Sequence, residues 1–209
     1  NKNLSTIQAY DKEVDAFNMT LDKKAKHKLY IVCSKDQLNE AESMELFSMI
    51  DRLSAELSVA KSDAEKTHLL LLRAVAHSVL RDFEAAIADF TEYVGRGGKS
   101  SIAYWQRAVF KFNLSEGKGI TNLHSAEADF SDAIRQNGNN AYVYYNRGNL
   151  HAGRNELSKA IDDYSIAIRI DSNLAEAYYN RGIARSKSGN KQAAIQDLSK
   201  AGELGLYDA

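Results

Sequence analysis

Of the residue types that do chemistry, only the arginines and aspartates fall into a pattern. Arg73, Arg107, Arg147 and Arg181 recur with Asp89, Asp129, Asp163 and Asp197, at separations of 16, 22, 16 and 16 residues. A fixed spacing of opposite charges predicts pairs formed between neighbouring helices. An exposed pair adds about 0–1 kcal/mol. A buried one costs several times more to break, because its partner is left stranded. The histidines (His27, His68, His77, His124, His151) are scattered, and no HExxH or Cys–Cys pair suggests a metal. Asp162 and Asp163 are adjacent, so on a helix they point about 100° apart and share no substrate. Gly-Lys-Gly around Lys118 is too short for a phosphate loop. Cys33 stands alone, which excludes an internal disulfide and fits a small buried hydrophobe. The expectation is a chain without catalysis, cofactor or metal.

The pairs need elements to position them, and the sequence repeats to supply these. AYVYYNRG at Ala141 restarts as AEAYYNRG at Ala175. Four units align, starting at Thr67, Ser101, Ala141 and Ala175, at spacings of 34, 40 and 34. The longer second unit carries six extra residues around Glu116 to Asn122, in the turn between its two helices, where an insertion leaves both intact. The eighth residue of each unit is small: Ala74, Ala108, Gly148, Gly182. An alanine opens the facing side of each second helix: Ala86, Ala126, Ala160, Ala194. Four residues on stands a large group: Phe90, Phe130, Tyr164, Leu198. Tyr93, Ala133, Ala167 and Ala201 follow. Small residues let two antiparallel helices approach and a large ring fills the adjoining gap. A helix pair cannot bury both faces alone, so stacking of units supplies the core.

Residues 67–208 resemble tetratricopeptide repeats, the 34-residue helix–turn–helix units that stack into a right-handed superhelix. The resemblance rests on Gly148, Ala160, Tyr164 and Ala167 and their counterparts. Unit one departs at Tyr93, where the family has Ala, and the family's closing Pro is replaced by Gly98, Gly138 and Ser172. The implied fold is all-α: an α-solenoid of four units (67–100, 101–140, 141–174, 175–208) behind an N-terminal segment, 1–66. In that segment Leu4, Ile7, Val14, Phe17 and Leu21 suggest one amphipathic helix, followed by a basic cluster at Lys23, Lys24, Lys26, His27 and Lys28 and the apolar run LYIVCS. From Asp36 to Ala60, Leu46, Met49, Ile50, Leu53, Leu57 and Ala60 form a stripe that suits a helical cap. Ser62 with Glu65 is a capping box opening the first repeat.

The family's groove positions fall on Leu71, Val75, Trp105, Val109, Phe112, Tyr142, Tyr145, Asn149, Tyr179 and Ile183. An apolar, aromatic surface of this kind suits a protein or peptide partner. The resemblance therefore implies a non-catalytic interaction scaffold. The alternative is the repeat portion of a larger multidomain protein, serving as spacer or as an oligomerisation surface through Leu204, Leu206 and Tyr207. Some family members clamp acidic chaperone tails with Lys, Asn and Arg. Here Asn146 and Asn180 match Asn or Arg places, but Trp105, Val109 and Glu176 stand where cations or Asn belong, which argues against that ligand. His77 and His151 share a place where the family prefers an aromatic, and so read as packing residues.

A net charge of −1 supplies no field for nucleic acid. With 44% apolar and 26% charged residues, the chain has the makeup of a folded soluble protein. No apolar run approaches the roughly 18 residues of a membrane span. The opening Asn1 fits a processed or excised chain, leaving cytoplasmic and exported settings both open. The absence of Pro suits long helices joined by short Gly- or Ser-containing turns.

Overall fold

The computed structural model describes residues 40–114 and 120–206. The helix expected near Ser5–Leu21, the basic cluster, the LYIVCS run with Cys33, the Lys118 turn and Tyr207 lie outside the described residues. Among the described residues all regular structure is α-helical. The helices are α1 (Glu40–Val59), α2 (Asp63–Val79), α3 (Phe83–Gly95), α4 (Ser101–Leu114), α5 (Ile120–Gln136), α6 (Ala141–Gly153), α7 (Leu157–Ile170), α8 (Ala175–Lys187) and α9 (Lys191–Glu203). The chain divides into two compact units, Asn1–Leu114 and Ser115–Ala209, with the boundary inside the second repeat.

In the first unit α1 packs on α2. Leu53, Ala60 and Leu69 form a buried cluster with Leu57 and Leu72 against it. The other side of α1 is open, with Met44 67% and Phe47 57% exposed. Ser62 caps α2 by accepting the Glu65 N–H, and the Glu65 carboxylate reaches back to the Lys61 N–H. Two orphan donors at the helix start are thereby satisfied. Phe83 and Phe90 of α3 meet Phe110 of α4, at ring separations of 4.8 and 6.4 Å.

Tyr93, the departure from the family in unit one, has a local cause. Its ring is 4% exposed and fills the space over Gly98, where a Cβ would lie 2.4 Å from the ring. Its hydroxyl accepts the Ser100 N–H at 3.0 Å, capping the start of α4. In unit one a tyrosine packed over the turn glycine thus stands where the other units have alanine.

In the second unit α6 pairs with α7 and α8 with α9. The small-to-large contact takes the expected form. A Cβ on Gly148 would come within 2.7 Å of the Tyr164 ring, and one on Gly182 within 3.0 Å of Leu198. The turn between the helices of a repeat is also shared across units one, three and four. Its fifteenth residue has positive φ in each: Arg81 at 60°, Asn155 at 60° and Gly189 at 90°. The next residue opens the second helix, and Asp82 and Asn190 cap it with their side chains. Glu156 makes no such cap. Its carboxylate is held instead by His151 and Lys159.

Three of the four Arg–Asp pairs lie within one compact unit, and all three are two-pronged. Arg73 reaches Asp89 at 2.8 and 2.7 Å, Arg147 reaches Asp163 at 2.8 and 2.8 Å, and Arg181 reaches Asp197 at 2.9 and 2.7 Å. Arg107 and Asp129 stand on α4 and α5, one in each unit. A tyrosine three residues earlier lies under the guanidinium in Tyr104/Arg107, Tyr144/Arg147 and Tyr178/Arg181, with 5.5–5.8 Å to the ring centre.

Candidate functional site

The groove residues expected from the sequence divide between the two units. In the first, Leu71, Trp105 and Val109 are core residues, 2%, 1% and 2% exposed, whereas Val75 and Phe112 are half-buried. In the second, Tyr145 is buried, and Tyr142, Asn149, Tyr179 and Ile183 are half-buried.

The second unit gathers part of this set around an open pocket between α6, α7 and α8. Ala152, Leu157, Ile183 and Ala184 supply apolar wall, Asn149, Tyr164 and Asn180 polar groups, and Lys187 a cation. The spacing explains the convergence. Asn149 and Ala152 lie three apart on α6, and Asn180, Ile183, Ala184 and Lys187 follow steps of three and four on α8.

A hydrogen-bond network fixes the polar groups. The Tyr164 hydroxyl donates to Asn149 Oδ1 at 2.8 Å. Asn180 Nδ2 donates to the same oxygen at 2.9 Å and to the Tyr145 hydroxyl at 3.2 Å. The Tyr145 and Tyr164 rings lie 6.0 Å apart. Burial holds the Tyr145 phenol above its ordinary pKa, with Glu176 adding and Asn149 and Asn180 opposing. Burial raises the Tyr164 phenol further, helped by Tyr145 and Asp163. Both shifts favour the neutral phenols, which take part in the network as hydrogen-bonding groups. Next to Tyr145, Asn146 is 2% exposed and its two amide atoms have no hydrogen-bond partner.

Tyr142 and Tyr179 do not line this pocket, while Asn180, Tyr164, Leu157, Ala184 and Lys187 do so without having been assigned to the groove. Asn180 and Lys187, the sixth and thirteenth residues of the fourth repeat, carry a usable signal. Both share a helix face with Ile183.

A second basic residue accompanies the Arg–Asp frame. Position eleven of the repeats is His77, Lys111, His151 and Arg185. His151, 4% exposed, has Nδ1 2.9 Å from Glu156 and Nε2 3.7 Å from Asp163. His77 stands similarly, 3.5 Å from Asp82 and 4.0 Å from Asp89. Arg185 donates to Asp197 at 2.8 Å. His77 and His151 are thus packed, as expected, and also seated between carboxylates. Lys159 and His151 hold the Glu156 carboxyl below its ordinary pKa. Among the described residues no group of three or more His, Cys, Asp or Glu is arranged to hold a metal ion.

Two family models match the end of the chain: a TPR repeat over residues 152–189 and a tetratricopeptide repeat over residues 175–204. The chain carries tetratricopeptide repeats over residues 152–204. Its fold is similar to a crystal structure of MamA, with a TM-score of 0.66 and 23% identity over 80% of this chain and 95% of that one. MamA from Desulfovibrio magneticus RS-1 is similar at a TM-score of 0.59 and 15% identity, over 78% and 94% of the two chains. So is YrrB, described as a TPR protein with an unusual peptide-binding site, at 0.62 and 15% over 92% and 93%. At these identities the likeness is one of fold, an all-α tetratricopeptide solenoid. The search of curated proteins finds no match. No helix among the described residues is long and apolar enough to cross a membrane.

Proposed function

We propose that this tetratricopeptide-repeat chain is a protein-interaction scaffold that binds an extended peptide segment of a partner on the α6–α8 face of its second unit. The observation that carries the reading is the Asn149–Asn180–Tyr145–Tyr164 network beside an open pocket with apolar walls. Neutral amides held in place by tyrosines offer donors and acceptors of the kind a peptide main chain needs. The Ile183 and Leu157 walls accept an apolar side chain. YrrB, a TPR protein with an unusual peptide-binding site, supports the class of ligand. In the first unit, Leu71, Trp105 and Val109 act as packing residues, and Val75 and Phe112 offer only half-exposed surface.

The test is selection of peptides from a displayed random library against the whole chain, followed by fluorescence anisotropy on the selected sequences. Ile183→Asp places a charge in the apolar wall and is expected to weaken binding about a hundredfold or more, in line with a buried unpaired charge. Asn180→Ala removes both network bonds and is expected to weaken it about tenfold. If folded Ile183→Asp and Asn180→Ala chains bind the selected peptides with unchanged affinity, the pocket is not the site.

A further inference from the structure

The stripe of α8 that borders the pocket changes character along its length. Glu176, Asn180, Ile183 and Lys187 follow steps of four, three and four, so they share one face of the helix. From the N-terminal end they supply an acid, an amide, an apolar wall and a cation. The neighbouring stripe of α6 is Tyr142, Tyr145, Asn149 and Ala152, which carries no charge. Lys187 brings the one charge among the described residues that line the pocket.

The two cations near the end of α8 are placed differently. Arg185 is drawn to Asp197 on α9 at 2.8 Å. Lys187 is exposed, and no carboxylate among the described residues pairs with it. Glu176 stands at the other end, near enough to the Tyr145 phenol for its charge to help raise that phenol's pKa. A helix rises about 1.5 Å per residue, and an extended chain about 3.3 Å. Lys187 therefore lies about 6 Å beyond Ile183 along the axis, which an extended peptide spans in about two residues. Glu176 lies about 10 Å before Ile183, or about three extended residues.

We propose, resting on the peptide-binding reading above, that the segment bound along α8 is charge-polarised. Its apolar side chain sits on Ile183, an Asp or Glu stands about two residues away on the Lys187 side, and a Lys or Arg stands about three residues away on the Glu176 side. The Asn149 and Asn180 amides meet the main chain and are indifferent to side-chain charge, so the two ends of the stripe set the direction in which the segment lies. Reversing it brings like charges together at both ends. The pocket is open, so the chain runs on past Lys187, and the carboxylate is that of a side chain and not of a chain end.

The probes are the peptides selected from the displayed library by the whole chain, synthesised with blocked ends and read by fluorescence anisotropy. They are expected to share an acidic residue about two positions from an apolar one. Lys187→Gln should weaken their binding about threefold and Lys187→Glu about tenfold, with the loss shrinking as salt rises. Replacing the acidic residue of the peptide by Lys should weaken binding to the parent chain and restore binding to the Lys187→Glu chain. A change in the stability of α8 cannot produce that reversal. Glu176→Lys should raise affinity for peptides whose basic residue is changed to Glu. If Ile183→Asp weakens binding while Lys187→Glu leaves both affinity and charge preference unchanged, the pocket stands as the site and the polarised ligand is overturned. If Ile183→Asp has no effect, both readings fall together. Binding that appears only when the peptide carries a free C-terminal carboxylate also overturns the proposal, in favour of a chain end as the ligand.

Discussion

Asp163→Ala should be the most informative single change to the Arg–Asp frame. The Asp163 side chain is 5% exposed and that of Arg147 21%. Breaking a fully buried ion pair costs about 3–5 kcal/mol, and losing a surface one about 0–1 kcal/mol. After Asp163→Ala the guanidinium keeps Ser131 at 3.3 Å and the Tyr144 ring at 5.7 Å, and it has some access to water. The cost should therefore fall below the buried limit, at about 2–3 kcal/mol. The reverse change strands more. Arg147→Met leaves a buried carboxylate beside the His151 ring, whose Nε2 lies at 3.7 Å, and should cost about 3–4 kcal/mol. The double change Arg147→Met with Asp163→Leu removes both charges and should return to within about 1–2 kcal/mol of the parent. The present pair also sets the sign of the Arg147 pKa. Burial pulls it down, but the Asp163 hydrogen bond and charge outweigh that and hold it above its ordinary value. Urea unfolding followed by circular dichroism gives the total, and amide exchange in α6–α7 against α2–α3 shows where it is lost, since repeat contacts are local. A cost below about 1 kcal/mol for Asp163→Ala, or a double variant no better than Arg147→Met alone, would refute the reasoning.

Gly148→Ala brings a Cβ to 2.7 Å from the Tyr164 ring, whereas Gly182→Ala meets the flexible Leu198 side chain at 3.0 Å and Ala194 O at 3.2 Å. Each change gains about 1 kcal/mol of helix propensity, and overpacking costs about 1–3 kcal/mol. In thermal melts Gly148→Ala should be the more destabilising, and the opposite order would show that the Tyr164 ring yields freely. The second expectation concerns alkaline pH. Tyr164 has a raised pKa in the fold, while unfolded tyrosine titrates near 10.0. Its contribution is thus fully present below pH 10 and is lost as pH rises, because the unfolded chain releases the proton first. Each pH unit above 10 should remove about 1.4 kcal/mol, and Tyr164→Phe should flatten that slope in urea midpoints taken from pH 9 to 11. An unchanged slope would mean that the phenol ionises within the fold.

How much of this molecule could be read from its sequence depends on whether the relevant contact stays inside one repeat. Arg147 with Asp163, and Gly148 with Tyr164, join the two helices of a single unit. Their separations therefore recur at 16 residues in units one, three and four, and at 22 in unit two, where the loop carries six more residues. The serine that Arg147 or Arg181 also reaches sits two residues after an aspartate, at Ser131 and Ser165, and is as regular. Its partner, however, belongs to the next unit, so alignment within units shows only an exposed-looking hydroxyl. Ser54 is harder still. The serine–arginine separation there is 19 residues instead of 16, because the turn between α1 and α2 differs in length from those between later repeats. The groove failed to resolve for the opposite reason. Position five is Leu71, Trp105, Tyr145 and Tyr179, alike in apolar character, but burial runs from 1% at Trp105 to half-exposure at Tyr179. A residue's type fixes how well it suits a binding face or a core, and only its neighbours decide which it joins.

The pocket shows the same dependence in its polar groups. Asn146 and Asn180 occupy the sixth position of successive repeats and are chemically identical. Asn180 is tied to Tyr145 and Asn149, whereas the Asn146 amide is buried and unpaired. Asn180 finds the Tyr145 hydroxyl 35 residues back, on the first helix of the preceding repeat. A donor–acceptor network of this kind therefore needs a tyrosine at position five of one repeat and an asparagine at position six of the next. The pair Tyr145–Asn180 meets that condition, and Trp105–Asn146 does not. The peptide site is consequently expected in the third and fourth repeats and not distributed evenly along the array. Tyr145→Phe removes the hydroxyl that Asn180 reaches and should weaken peptide binding about tenfold. If Tyr145→Phe binds the selected peptides as tightly as the parent chain, the rule is wrong.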